Sequence, residues 1–252
     1  MREDTLQRIR AINKEFYQRF GEAFAETRRR IQPGVARALD EWITGGDWLD
    51  IGCGSGTLSQ AWIKRGLTGS YTGIDFSQPL LHEAQKLLKA NPPQPGLVIT
   101  FQQMDLMNEG WAESYQKAAY DGVLAFAVLH HIPGAAARMS LLRQTSSLIR
   151  PGGLFIHSEW QFQHSPKLMA RVQPWSKVDL RKEDVDAGDT LLDWRHEVTG
   201  GEKGYGLRYV HLFSREELQE MSGACGFEIV QEYESDGAGE RLGLYQVWRK
   251  LA

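Results

Sequence analysis

Cysteine is scarce: the 252-residue chain has two, Cys53 and Cys225, far apart and in no metal-ligand spacing. This argues against a disulfide framework and a structural zinc, so no metal is expected, and it suits a reducing cytoplasm. No segment approaches the roughly 18 consecutive apolar residues of a membrane span, so no membrane partner is expected. The opening MREDTLQRIR carries acids and no apolar run, which excludes a secretory signal there. Net charge is only −3. No general basic field exists to attract nucleic acid, and any polyanion contact must be a local patch. Internal repeats and low-complexity tracts are absent. What is present is ordinary globular usage, 42% hydrophobic and 24% charged. The length suits one α/β domain with an insertion.

Residues 3 to 30 place Leu6, Ile9, Ile12, Phe16, Phe20 and Phe24 at three- or four-residue spacing, which predicts a helix. Pro33 and Gly34 interrupt it and VARALDEWIT begins a second, so residues 1–44 read as an N-terminal helical cap. DWLDIG, SYTGID, LVITFQQ, YDGVLAFAV and LFIHSEW then read as strands. Between them lie helical segments, one from SGTLSQAWIKRG, one capped by Ser77, and one from about Ala135 to Ile149. This alternation predicts a doubly wound, mostly parallel α/β sheet over residues 45–160. Residues 161–207 break the pattern. They are polar, with Trp175, Trp194 and GGEKGYG, and are expected to form an inserted lid over the strand ends. In residues 208–252, Ser214 and Glu217 predict a capping box, and FEIVQEYES with LGLYQVWRK a closing antiparallel hairpin.

The chemistry concentrates in Asp50-Ile51-Gly52-Cys53-Gly54-Ser55-Gly56, between the first strand and its helix. Glycines there permit a tight turn and close approach of a ligand to the backbone. A dinucleotide fingerprint requires a third glycine where Thr57 stands. Asp50 would also repel a pyrophosphate, whereas it attracts an ammonium and a sulfonium. The pattern therefore favours S-adenosylmethionine over a nicotinamide cofactor. Asp75, ending the second strand, is placed to accept hydrogen bonds from both ribose hydroxyls. Asp105 and Leu106, after the third, suit an adenine amino group and ring face. Ligands of such sheets bind at the carboxyl ends of the strands, where all three acids fall.

In order along residues 45–160, LDIGCGSGTL, GID, QMDL, YDGVLAFAVLHHI and RPGG resemble the successive motifs of class I S-adenosylmethionine-dependent methyltransferases. The resemblance implies a Rossmann-like, seven-stranded sheet with an antiparallel last strand. It implies Gly52, Cys53, Gly54 and Gly56 along the cofactor, with Asp50 reaching the methionine ammonium. Asp75 and Phe76 would meet the ribose, Asp105 and Leu106 the adenine, and Phe126 and Ala127 the methionine part. Tyr17, off the apolar stripe, is expected to cover the cofactor from above. A closer likeness exists in AETRRRIQPGV, VLHHI, RPGGLFIHSEW and the run from Arg208 to Phe213. These are similar to the wobble-uridine tRNA methyltransferase family, which esterifies a carboxymethyl group on the wobble uridine. That likeness implies Arg28, His131, Arg208 and His211 around the acceptor, and a small accessory subunit. The chain departs from it at Gln32, where a tryptophan precedes the proline.

The acceptor is expected to be tRNA or a small molecule. A carboxylate acceptor is ionised at neutral pH and requires only an arginine to place it. A hydroxyl or ammonium acceptor requires a base, and His130, His131 or His211 is available. Neighbouring side chains diverge, so His131 is expected to face the acceptor and His130 to bond locally. The rival readings are a non-catalytic cofactor-binding scaffold and a nicotinamide-dependent oxidoreductase.

Overall fold

The computed structural model describes residues 1–26, 30–197 and 203–252. In chain order the strands are β1 (Gly46–Ile51), β2 (Gly69–Asp75), β3 (Leu97–Gln103), β4 (Tyr120–Phe126), β5 (Ile149–Trp160), β6 (Val172–Gln173), β7 (Asp189–Glu197), β8 (Lys203–His211), β9 (Phe227–Ser235) and β10 (Gly243–Lys250). Seven of them form one sheet in the order β3-β2-β1-β4-β5-β10-β9. The first five run parallel, and β10 is antiparallel to both β5 and β9. This is the mostly parallel, Rossmann-like sheet expected, closed by the terminal hairpin.

Both faces are covered, which is why β4 is apolar throughout. Its residues alternate sides. Val123 and Ala125 join Leu49, Ile51, Leu141, Leu142, Leu218 and Met221 in one core. Those last four lie on α5 (Ala135–Leu148) and α7 (Arg215–Ala224). Leu124 joins Ile156, Val247, Val35, Leu39 and Trp62 in the other. There the helices are α2 (Pro33–Trp42) and α3 (Thr57–Lys64). Each fully buried aliphatic side chain contributes about 1.5–3 kcal/mol. Strand order reverses between β1 and β4, and a crevice opens there at the carboxyl ends.

Two caps differ from expectation. Ser77 precedes α4 (Gln78–Ala90) but makes no side-chain cap bond. Its backbone N–H instead donates to Asp75 Oδ1 at 2.8 Å. Ser214 Oγ does accept from Glu217 N at 3.1 Å. Glu217 does not reciprocate in a capping box, because its carboxylate turns to His211 and Arg138.

The insertion builds a second antiparallel sheet, β6-β7-β8. Arg208 to His211 belong to β8, so the boundary anticipated after residue 207 falls instead after His211. The cover over the crevice also differs. Among the described residues, none from 161 to 207 lines it; α1 (Glu3–Glu26) does. The insertion braces α1 from outside. Phe16 and Phe20 meet Trp194 at 5.7 and 5.0 Å between ring centres, and Arg2 bonds Asp184 at 3.2 Å. Among the described residues no helix is long and apolar enough to cross a membrane.

Candidate active site

The crevice encloses a cavity of about 500 Å³, within the roughly 300–1,000 Å³ typical of small-ligand sites. Its floor is the bend after β1 with the ends of β2 and β4. The segment after β3 forms one wall, and α1 the roof. Tyr17, Asp50, Gly52, Cys53, Gly54, Asp75, Phe76, Asp105, Leu106, Phe126, Ala127 and His131 all line it.

Gly52 and Gly54 adopt left-handed φ of +70° and +55°, which a side chain would strain. A Cβ on Gly54 would meet nothing within 4 Å, so its backbone faces open space that a ligand can enter. Gly56 differs from expectation: it is absent from the cavity wall. It forms the N-cap of α3, where a Cβ would come within 2.7 Å of Ala84 and 2.9 Å of Phe101. Its role is close packing between helices and sheet.

Asp75 ties the two loops together. Oδ2 accepts from Gly54 N at 3.0 Å and Oδ1 from Ser77 N at 2.8 Å. Each oxygen keeps a lone pair for a ligand. Burial pushes this carboxyl up to about 6 despite those donors. Asp50 is buried and accepts a hydrogen bond from the Tyr71 hydroxyl. Burial raises it to about 7, the Tyr71 bond opposes that rise, and the nearby Asp75 charge adds to it. A cationic group beside these two buried acids would favour their ionised forms. Asp105 is more open, accepting from Met107 N at 2.9 Å and lying 4.0 Å from Arg10. Burial first, and then the Asp50 and Asp75 charges, push the Cys53 thiol up, which disfavours the thiolate. Ala127 holds a left-handed φ of 59°. Its N–H donates to Ser158 O at 3.0 Å and to Ser158 Oγ at 3.1 Å, which offsets a conformation unusual for alanine.

The adjacent histidines do not diverge as expected: their rings meet edge-on, 4.5 Å between centres, and differ in their hydrogen-bond partners. His130 turns inward, with Nδ1 3.0 Å from Glu159 Oε2. His131 lies on the cavity wall. Its Nδ1 is 3.1 Å from the Tyr209 carbonyl and its Nε2 2.9 Å from the Tyr17 hydroxyl. A carbonyl can only accept, so Nδ1 carries the proton of the neutral ring. Nε2 then accepts from the Tyr17 hydroxyl, and both side chains lie on the cavity wall.

Two residues expected beside the acceptor lie elsewhere, and a third is not described. Arg208 is buried, with its guanidinium 4.6 Å from the Trp160 ring centre and 5.7 Å from that of Phe16. His211 sits between carboxylates, with Nδ1 2.7 Å from Asp189 and Nε2 3.0 Å from Glu217. Arg138 and the Tyr209 hydroxyl complete that cluster, which fastens the insertion to α5 and α7. Neither Arg208 nor His211 lines the cavity. Arg28 lies outside the described residues, although Arg30 reaches the cavity wall.

The His211 cluster predicts a pH effect on stability. Burial lowers the imidazolium, but the bonds to Asp189 and then Glu217 outweigh it, leaving the group above its usual range. A raised folded-state value means stabilisation that is complete below the unfolded value, about 6.5, and is lost as pH rises through the folded one. His211→Asn is expected to lower the urea midpoint more at pH 6 than at pH 9. Equal losses at both would separate the cluster from stability.

Sequence reasoning missed Gln7, Arg10 and Lys14, which line the roof with Tyr17. Their spacing of three or four residues was the available signal: a second stripe beside the apolar one. It also missed Asn13, a buried polar residue of α1 that touches the cavity wall. Such a residue requires bonding partners.

A family model described as a methyltransferase domain matches residues 23–232. The ubiquinone biosynthesis O-methyltransferase of Aeromonas salmonicida is 34% identical over 120 residues, 45% of this chain and 45% of that protein. The chain thus spans about half the length of the curated relatives it matches. Among solved structures, the 1,6-didemethyltoxoflavin-N1-methyltransferase of Burkholderia thailandensis, with its acceptor and S-adenosylhomocysteine bound, superposes with TM-score 0.65. It is 18% identical and covers 99% of this chain and 90% of its own. A Haloferax volcanii putative methyltransferase, solved in complex with the Trm112 methyltransferase activator, has TM-score 0.60 and 15% identity, covering 96% and 98%.

Proposed function

The chain belongs to the S-adenosylmethionine-dependent methyltransferase family, and from that premise we propose that it methylates a weakly acidic hydroxyl on a small acceptor. The carrying observation is the Tyr17–His131 pair on the cavity wall, in which Nε2 of the Nδ1-protonated ring accepts from the Tyr17 hydroxyl. The residues fit the cofactor: an open glycine bend at Gly54 and the carboxyls of Asp50, Asp75 and Asp105 suit a cationic nucleoside. When bound, S-adenosylmethionine supplies an electrophilic methyl group and a neutral thioether as leaving group. Asp75 would hold the ribose hydroxyls and Asp105 with Leu106 the adenine. Phe126 and Ala127 would flank the methionine part. An acceptor hydroxyl beside Tyr17 would give its proton to the Tyr17 oxygen while the Tyr17 proton moves to His131 Nε2, and the imidazolium would later pass a proton to water. Alignment under the roof of α1 contributes most; such positioning is worth roughly 7–11 kcal/mol. The ubiquinone-pathway relative, named an O-methyltransferase, supports oxygen as the methylated atom.

The second reading is a carboxymethyl uridine in tRNA, with the accessory subunit that this likeness implies. Arg10, Lys14 and Arg30 on the cavity wall favour an anionic acceptor. The neighbour bound to an activator offers a precedent for a partner in this fold. Methyl-labelled cofactor separates the two. It is offered with a panel of small phenols and enols, and separately with bulk tRNA. Label in phenols or enols, absent from tRNA, is the expected result. Ribonuclease-sensitive label alone would overturn it.

Cofactor binding is expected to release protons. Asp75 at about 6 and Asp50 at about 7 are partly protonated near neutrality, and a cationic ligand favours their ionised forms. Affinity should therefore rise from pH 5.5 to 7.5. Titration calorimetry in two buffers of different ionisation enthalpy reads the released protons directly. Equal heats in both would remove these two groups from the binding equilibrium.

A further inference from the structure

Asn13 lies one helical turn before Tyr17 on α1 and uses every polar atom of its amide. Nδ2 donates to His131 O at 3.2 Å and to Tyr209 O at 3.3 Å. Oδ1 accepts from Tyr209 N at 2.8 Å. The Tyr209 carbonyl is the same atom that receives the His131 Nδ1 proton. Asn13 thus holds both ends of that contact: the backbone carrying the imidazole and the peptide that accepts from it. It is buried, in a stripe whose other buried members include Thr5, Ile9, Phe16, Tyr17 and Phe20. An unsatisfied amide there would be costly, so the side chain has one well-satisfied pose.

We propose that Asn13 is a positioning residue: it clamps the Tyr209 peptide so that the His131 ring keeps Nδ1 protonated and aims Nε2 at the Tyr17 hydroxyl. Because Asn13 and Tyr17 share one face of α1, docking of the roof and preparation of the base are one event. The helix that encloses the ligand also completes the group that accepts the proton. This rests on His131 as proton acceptor, the reading given above.

The test compares Asn13→Ala with the wild type, both saturated with S-adenosylhomocysteine and labelled with 15N-histidine. In the wild type the two His131 ring nitrogens are expected to resonate far apart, one protonated and one bare. In Asn13→Ala they are expected to move toward a common averaged position, while cofactor affinity stays within about threefold. With an active acceptor, kcat should fall about tenfold at nearly constant KM, and the acid limb of the kcat profile should shift. Asn13→Ser, which cannot span both carbonyls, carries the same expectation should the alanine variant not fold. Gln18→Ala, exposed on the same helix, should leave the ring resonances in place. Unchanged resonances in both folded Asn13 variants, or an equal change in Gln18→Ala, would overturn the proposal. The ring measurement uses no acceptor. A failure of the small-hydroxyl reading would therefore show in the methyl-transfer panel with the resonance signature intact.

Discussion

Asp75→Ala is expected to weaken S-adenosylhomocysteine binding by at least about 100-fold, or about 2.8 kcal/mol at 1.4 kcal/mol per tenfold. Two losses combine. The ribose hydroxyls lose a charged acceptor, and hydrogen bonds to charged groups are worth about 1.5–3 kcal/mol each. The Gly54 and Ser77 N–H groups also lose theirs, which frees the bend after β1 and the turn before α4 from one another. Asp105→Ala should cost less, about tenfold, because that carboxylate is more exposed and bonds only one backbone N–H among the described contacts. Titration calorimetry of the three proteins decides the matter. A change under about threefold in Asp75→Ala would place the ribose elsewhere.

His131→Phe is expected to lower kcat by about 10²- to 10⁴-fold, the usual worth of a positioned general base. Cofactor affinity should stay within about threefold, since the substitution leaves the glycine bend and the carboxyls of Asp50, Asp75 and Asp105 in place. Tyr17→Phe removes the hydroxyl that Nε2 accepts from and keeps the ring that meets Phe76 at 5.7 Å. Its loss should be comparable. Steady-state rates with the acceptor found by the labelling panel, beside binding measured separately, distinguish the two effects. Near-normal kcat in His131→Phe would indicate an acceptor already ionised in solution, such as a carboxylate.

The placement of Arg208 and His211 shows where motif reasoning stops. Both belong to one short run that resembles an acceptor-binding segment. The structure makes that run the end of β8, where successive side chains alternate faces. Arg208 therefore goes with Phe16 and Trp160, while Tyr209 and His211 go together to Asp189. Residues three apart on a strand point to opposite sides, so one run cannot bring both to a single acceptor. Gly56 is a similar case. Its spacing matches a ligand-facing glycine, and its surroundings make it a packing glycine against Ala84 and Phe101.

The lid differs for another reason. Polarity and mixed charge in residues 161–207 are equally consistent with covering a ligand and with bracing a helix that covers it. The choice was made by α1. Its apolar stripe, including Phe16 and Phe20, buries against Trp194 of the insertion, which turns the adjoining stripe of Gln7, Arg10, Lys14 and Tyr17 toward the cavity.

Local pattern by itself determined the parallel sheet, the glycine bend and the three acids at successive strand ends. Strand and helix periods, and the turn that follows a strand, are properties of neighbouring residues. Only the tertiary structure decided which helix roofs the cavity, which tautomer His131 holds, and that Asn13, His131 and Tyr209 meet at one peptide. Those contacts join residues far apart in the chain, and the bonds that set them form only when α1, the turn after β4 and β8 pack together.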